Sequence, residues 1–162
     1  MAATESFRTA AVAAGVAAAA AAAVFLLWGV DRGAPVAHRL RPDDAALIVL
    51  GQRVYVGQCA ACHGMRLEGQ ANWRERGPDG KLPAPPHDAS GHTWHHPDEL
   101  LFQITKHGVA KVAKLKDYAT TMPVYEGVLS DEEIVAVLSW IKSQWPADIR
   151  SRHDELNRSA PR

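Results

Sequence analysis

Cysteine is nearly absent from this chain of 162 residues, which contains only Cys59 and Cys62. A structural disulfide between them would close so small a loop that it would add little stability. A zinc site usually needs two paired sets of ligands, and no second CxxC is present. Charge of one sign is also not in excess, because the formal net charge is zero. No overall field therefore favours nucleic acid or an acidic surface.

Internal repeats and strand-like alternation are missing as well. The length supports one domain with short additions at its ends. Low complexity is confined to the N-terminal region, where residues 10–30 read AAVAAGVAAAAAAAVFLLWGV. As a helix rising about 1.5 Å per residue, this uncharged run would span roughly the 30 Å core of a bilayer.

The run 10–30 is therefore predicted to be a membrane anchor. A cleaved secretory signal is the main alternative, and a buried soluble helix is a third. The run is long for a signal, and Pro35 makes a poor cleavage site of the segment that follows it. The first two interpretations both place the residues from about 40 onward outside the cytoplasm.

The two cysteines belong to the motif CAACHG at residues 59–64. In a helical turn, residues three apart share one face. Cys59 and Cys62 can then reach two neighbouring substituents of one flat ligand, and His63 can turn its imidazole to the ligand's centre. This is the pattern of covalent haem attachment through two thioethers and one iron–nitrogen bond. A thioredoxin-like pair would instead require strands around it.

Three helices are predicted around the motif. The stretch RPDDAALIVLGQRVYVGQ, residues 41–58, precedes the motif, with Pro42 and the two aspartates after it in the first turn. HHPDELLFQITKHG, residues 95–108, has Pro97 in its first turn and Gly108 as its stop. LSDEEIVAVLSWIKSQWP, residues 129–146, begins with a Ser130–Glu133 capping box and carries one apolar stripe.

These residues resemble the class I, single-haem bacterial cytochromes c over residues 45–146. The matching stretches are GQRVYVGQCAACHG and MPVYEGVLSDEEIVAVLSWI. The resemblance implies an all-α fold of three to four helices around one covalently attached haem c. It implies that the first and last helices cross at Gly51, Tyr55 and Trp140.

The resemblance also implies the iron ligands. His63 is the proximal ligand, and Met122, in the loop before the last helix, is the distal one. Met65 is only two residues from His63 and cannot readily reach the opposite face. Five histidines remain as rivals of Met122 and would give bis-histidine coordination: His87, His92, His95, His96 and His107. The carbonyl that holds the proximal histidine belongs to Pro83, Pro85 or Pro86, and the sequence does not choose.

Four of these histidines, His87, His92, His95 and His96, form a cluster in the sequence. A second metal site is one interpretation, and a polar loop whose histidines cap helices and bond to carbonyls is the favoured one. Residues 100–122 contain four lysines, at positions 106, 111, 114 and 116, and only one acidic residue, Asp117. They either form a docking patch for an acidic partner or belong to an ordinary solvated loop.

The expected function is electron transfer, not enzymatic catalysis, because His63 and Met122 would fill both open iron positions. The expected partners are a quinol-oxidising complex, a terminal oxidase or a periplasmic dehydrogenase. A gas sensor or redox enzyme with a labile Met122 is one alternative, and a haem-free metal-binding or thiol redox module is another. Because haem attachment of this kind occurs in exported proteins, the haem domain is expected in the periplasm, against the arginine bias of the flanks of residues 10–30.

The expected domain organisation follows from these assignments. It comprises a cytoplasmic tail (1–9), an anchor or signal (10–30), a linker (31–44), the cytochrome domain (45–146) and a polar C-terminal tail (147–162).

Overall fold

A computed structural model describes residues 38–160, and all regular structure in that range is helical. The all-α prediction is therefore confirmed for this part of the chain, whereas the predicted anchor at residues 10–30 lies outside the described residues. The helices are α1 Ala45–Val54, α2 Ala60–His63, α3 Asp98–His107, α4 Val109–Val112, α5 Asp131–Ser143 and α6 Ala147–Ser159. A π-helical turn, Tyr55–Cys59, joins α1 to α2, and a 3-10 turn spans Thr93–His95.

Helix α1 begins at Ala45, later than the first-turn role predicted for Pro42 implies. Asp44 is its N-cap, and its Oδ1 accepts a hydrogen bond of 3.1 Å from the Leu47 amide. An aspartate in this position satisfies one of the free amides of the first turn. The continuous run Ala45–His63 is the one helix among residues 38–160 that has the length and composition to cross a membrane. Leu47, Gly51 and Val54 are buried, so one face of this helix packs within the domain.

Helices α1 and α5 cross at Gly51, as predicted. A Cβ atom there would lie 2.1 Å from the carbonyl oxygen of Ala136 and 2.8 Å from the Cβ of Trp140. The rings of Tyr55 and Trp140 pack 4.6 Å apart beside this crossing. Only glycine permits the two backbones to approach so closely, so this position fixes where the motif-bearing helix lies on α5.

The predicted capped start of α5 and the predicted stop of α3 are confirmed, whereas Pro97 is the N-cap of α3 and not in its first turn, and Trp145 of the predicted stripe lies beyond the end of α5. Ser130 and Glu133 form the capping box, in which the Ser130 hydroxyl accepts from the Glu133 amide at 3.2 Å. Along α5 the apolar stripe is buried: Ile134, Val137, Leu138 and Ile141. Helix α3 follows Pro97 and stops at Gly108, whose φ of 84° is readily accessible only to glycine.

The residues beyond position 146 are not merely a polar tail. Residues 147–159 form α6, with Ile149 buried and His153 fully buried. Burial of His153 is compatible with its polarity because its Nε2 donates to the carbonyl oxygen of His96 at 2.9 Å. Polar contacts of this kind leave no trace in hydrophobic periodicity, which explains why the sequence did not indicate them.

The end of the predicted linker is also part of the folded domain. Leu40 is buried, and its amide donates to the carboxylate of Asp98 at 3.0 Å. The ring of His38 stacks on Phe102 with centroids 3.4 Å apart. Asp98, at the start of α3, also accepts from Asn157 of α6 at 3.1 Å. The first described residues and the last helix are thus both joined to α3.

Candidate functional site

The motif residues lie at the end of the helical run that starts with α1. The π-helical turn ends at Cys59, and α2 carries Cys62 and His63. Gly64 then stops the helix with a φ of 81°, and its carbonyl oxygen accepts from the Tyr55 hydroxyl at 2.7 Å. Gly64 therefore ends the helix directly after His63, in a conformation that other residues rarely adopt.

His63 is buried, with 7% of its surface exposed, and its ring is held in one orientation. Its Nδ1 lies 2.8 Å from the carbonyl oxygen of Pro85. A carbonyl oxygen only accepts, so Nδ1 carries the proton and donates it. Burial lowers the pKa of His63, which keeps the ring neutral and leaves the Nε2 lone pair available for a metal. Of the three prolines that the sequence left open, the structure therefore selects Pro85.

The Cys59 and Cys62 thiols are both free, Cys59 partly buried and Cys62 exposed. Burial raises the pKa of the Cys59 thiol to about 11. A thiol redox pair needs a lowered pKa, because the thiolate is the reactive form. The raised pKa of Cys59, together with the lack of strands in residues 38–160, argues against a thioredoxin-like function.

The loop that contains Met122 is tied to the motif through Tyr125. The Tyr125 hydroxyl donates to the carbonyl oxygen of Gln58, next to Cys59, at 2.8 Å. Burial raises the pKa of Tyr125 to about 12, so the hydroxyl keeps its proton. Met122 is half-buried, and its amide donates to the Thr120 hydroxyl at 3.1 Å. The structure thus brings the segment after Met122 against the residue that precedes Cys59.

Comparison with protein families identifies this arrangement. The family model described as Cytochrome C oxidase, cbb3-type, subunit III matches residues 46–141. The chain belongs to this family. It is a c-type cytochrome, which implies haem c as the cofactor and haem-based electron transfer as the function. No curated protein and no solved structure matches the chain.

The donor set of this c-type cytochrome fits a haem. Two free thiols and a neutral histidine lie within one helical turn and its cap, and the Nδ1 of His63 is already satisfied by Pro85. The histidine can therefore present only Nε2 to iron, which is the arrangement that second-shell hydrogen bonds produce in metal sites.

The histidines near the motif have other partners in the cytochrome domain. The His87 ring stacks on His63 with centroids 4.0 Å apart, a contact that the sequence did not reveal. His92 stacks on Trp73 at 5.3 Å, and His95 stacks on Trp94 at 3.7 Å.

His96 and His107 also contact other residues of the domain. The ring of His96 meets the ring of His92 edge-on. The backbone carbonyl oxygen of His96 accepts a hydrogen bond from His153. His107 places Nδ1 3.1 Å from Glu126 Oε2, but off the direction that a hydrogen bond needs. Over residues 38–160, no three side chains of His, Cys, Asp or Glu converge as the ligands of a metal ion would.

Proposed function

We propose that this c-type cytochrome carries a single covalently attached haem with histidine and methionine as iron ligands. Cys59 and Cys62 form the two thioethers, His63 Nε2 binds iron, and Met122 supplies the opposite ligand. The haem supplies a one-electron Fe(III)/Fe(II) couple, and the chain binds, orients and shields it.

One observation carries this proposal: the hydrogen bond of 2.8 Å between His63 Nδ1 and the Pro85 carbonyl oxygen. It fixes the tautomer, so that Nε2 is the only ring nitrogen that can bind a metal. The two thiols lie in the same helical segment, three positions apart, and no third cysteine competes for them.

The distal role of Met122 is supported by the chain around it and by the placement of its rivals. Tyr125 holds the loop against Gln58, immediately before the attachment residues. The His87 ring stacks on the face of His63, which would put it beside that ligand and not across the haem from it. His92 and His95 are exposed and stack on tryptophans. A Met122 thioether would favour reduced iron and raise the reduction potential.

With His63 and Met122 both bound to iron, no open position would remain for a substrate, which favours a carrier over an enzyme. The family description names a subunit of an oxidase, so we propose a terminal oxidase or another respiratory redox protein as the partner. Docking would involve Lys114 and Lys116, because two of the four lysines are already engaged. Lys106 lies 2.6 Å from Asp131, and Lys111 lies 3.8 Å from Glu126.

The proposed location is the outer face of the cytoplasmic membrane, with residues 10–30 as the anchor and the haem domain in the periplasm. The full-length protein should then stay in membranes after an alkaline wash and keep its N-terminal sequence intact. A soluble form that starts near residue 38 would show that the segment is a cleaved signal.

Haem staining of the purified full chain after denaturing electrophoresis tests the attachment. The wild type should stain, and the double variant Cys59→Ser/Cys62→Ser should lose the stain, because neither thioether can form. His63→Ala should keep the stain and lose the native redox spectrum, whereas the control His92→Ala should keep both. A wild-type protein that does not stain would contradict the proposal.

The alternative of a gas sensor or redox enzyme requires that Met122 leave the iron. Addition of carbon monoxide to the reduced wild type distinguishes the two functions. An unchanged spectrum supports the carrier, and a rapid spectral change at low carbon monoxide supports an open or labile position.

A further inference from the structure

The backbone of His87 is held from two sides. Its amide donates to the carbonyl oxygen of Leu67 at 2.8 Å, and its own carbonyl oxygen accepts from the Trp145 indole at 2.7 Å. Leu67 lies shortly after the CAACHG motif in the chain, and Trp145 lies shortly after α5. The position of His87 is therefore fixed by two separate elements, which is unusual for a residue in an irregular loop.

The His87 side chain is fixed as well. Its Nδ1 lies 2.8 Å from the hydroxyl of Thr93, a residue that is 6% exposed. Between them, Gly91 approaches the loop so closely that a Cβ would lie 2.0 Å from the carbonyl oxygen of Pro86. The loop thus closes on itself, and the His87 ring has one orientation in which its polar edge is satisfied.

That orientation places the His87 ring flat against His63. The two ring centroids are 4.0 Å apart, and the planes differ by 22°. Pro85, two residues before His87, accepts the Nδ1 proton of His63. The same loop therefore holds His63 at one edge by a hydrogen bond and at one face by an aromatic contact.

A single hydrogen bond at Nδ1 leaves the ring of His63, which is attached through Cβ, some freedom to tilt its plane about the Cβ–Cγ bond. A flat contact on its face restricts that tilt. We propose that His87 is a positioning residue that sets the plane of the His63 ring, and that Thr93 in turn sets the plane of His87. This inference rests on the proposed role of His63 as the proximal iron ligand.

Residues that orient a metal-bound histidine tune the metal although they do not touch it. An apolar side chain of similar size would fill the space behind His63. It would not accept or donate to Thr93, and an aliphatic one would not present a flat face. His87 therefore carries two separable features, a stacked ring and a hydrogen bond that orients it, and substitutions can remove them one at a time.

The experiment compares four variants and one control variant of the haem-loaded full chain with the wild type. His87→Phe keeps a flat ring without the hydrogen bond, and His87→Leu removes both features. Thr93→Val removes only the hydrogen bond, and Thr93→Ser keeps a hydroxyl and serves as the conservative variant. His92→Phe is the matched control, because His92 is exposed and stacks on Trp73 instead of His63.

The orientation of the proximal ring is read from the ferric paramagnetic resonance spectrum and from the hyperfine-shifted proton resonances of His63. We expect both signals to change most in His87→Leu, less in His87→Phe and least in Thr93→Val. Both should remain as in the wild type in Thr93→Ser and His92→Phe. The double variant His87→Phe/Thr93→Val should change no more than His87→Phe alone, because both substitutions break one chain of contacts.

The redox equilibrium against a fixed mediator is the second readout. His87→Leu should shift it by about threefold toward the reduced form, because an apolar group replaces a polar one beside the ligand. Wild-type ring orientation in both His87→Phe and Thr93→Val would overturn the inference. If His87→Leu does not fold, Thr93→Val against Thr93→Ser decides the matter alone.

The outcome is separable from that of the proposed function. A wild type without covalent haem or without His63 ligation would remove the basis of the function itself. A normal wild-type spectrum with unaffected variants would refute only the positioning role of His87.

Discussion

Substitution of Gly51 by alanine should destabilise the protein, although alanine is the better helix former. A Cβ at this position would lie 2.1 Å from the Ala136 carbonyl oxygen, 2.6 Å from its carbonyl carbon and 2.8 Å from Trp140 Cβ. Carbon–oxygen contacts settle at about 3.3 Å or more, so α1 and α5 would have to separate by about 1 Å. The nearest obstacle is backbone and cannot rotate away.

The cost can be estimated from the contact. Overpacking of this kind costs about 3 kcal/mol when the neighbours cannot yield. Replacing glycine by alanine within a helix returns about 1 kcal/mol. The net loss in the free energy of unfolding is therefore about 2 kcal/mol. Part of that loss comes from the rest of the interface between α1 and α5, because a gap of about 1 Å weakens every van der Waals contact across it.

Gly57 provides the matched control, since a Cβ built there meets nothing within 4 Å. Gly57→Ala should gain about 0.5–1 kcal/mol by reducing the freedom of the unfolded chain. The two variants should thus differ by about 3 kcal/mol, or about 1 M or more in the urea midpoint. Urea unfolding of the haem-loaded proteins measures both. If Gly51→Ala is as stable as Gly57→Ala, the close crossing of α1 and α5 is wrong.

Three further predictions follow from the site and from α6. Met122→Ala should keep the covalent haem but lose the sulfur-to-iron absorption of the oxidised protein. Met65 is exposed, so Met65→Ala should retain that absorption. An unchanged Met122→Ala spectrum would show that Met122 is not a ligand. Tyr125→Phe removes a hydrogen bond to Gln58 worth about 1 kcal/mol, so cyanide should displace the distal ligand about fivefold more readily, and equal cyanide affinity would contradict the role of that bond. Burial first, and then the charge of Lys142, lower the pKa of His153 below its usual 6.5. The unfolded chain therefore takes up the proton first as the pH falls below about 6.5, and wild-type stability should drop by up to about 1.4 kcal/mol per pH unit for this group. His153→Gln should show a shallower loss between pH 6.5 and 5 in urea titrations, and an identical slope would exclude the contribution of His153.

The sequence predicted those features that arise from local patterns. The capping box of Ser130 and Glu133, the stop at Gly108 and the crossing at Gly51 each depend on a residue type that few others can replace. The spacing of Cys59, Cys62 and His63 likewise follows from one helical turn, and the structure gives that turn. Such signals are legible because the physical requirement and the residue are adjacent in the chain.

Features built from distant polar pairs were not predictable in this way. The carbonyl partner of His63 lies 22 residues away, and three prolines satisfied the same description. The π-helical turn that ends at Cys59 has no characteristic residue type, and the stack of His87 on His63 depends on a loop whose path no periodicity specifies. The role of α6 was missed because its buried side chains include a histidine, which composition assigns to the surface.

Trp145 connects the last helix to the loop that contacts His63. Its indole donates to the carbonyl oxygen of His87 at 2.7 Å, and its ring meets His153 of α6 edge-on at 5.0 Å. His153 in turn bonds to the carbonyl of His96, just before α3. The loop that contains His87 is thus tied through Trp145 to His153 of α6, and His153 is tied to the residue pair that precedes α3. A domain with few helices gains a rigid wall beside His63 in this way, because polar contacts along the backbone fix the loop where apolar area alone would not.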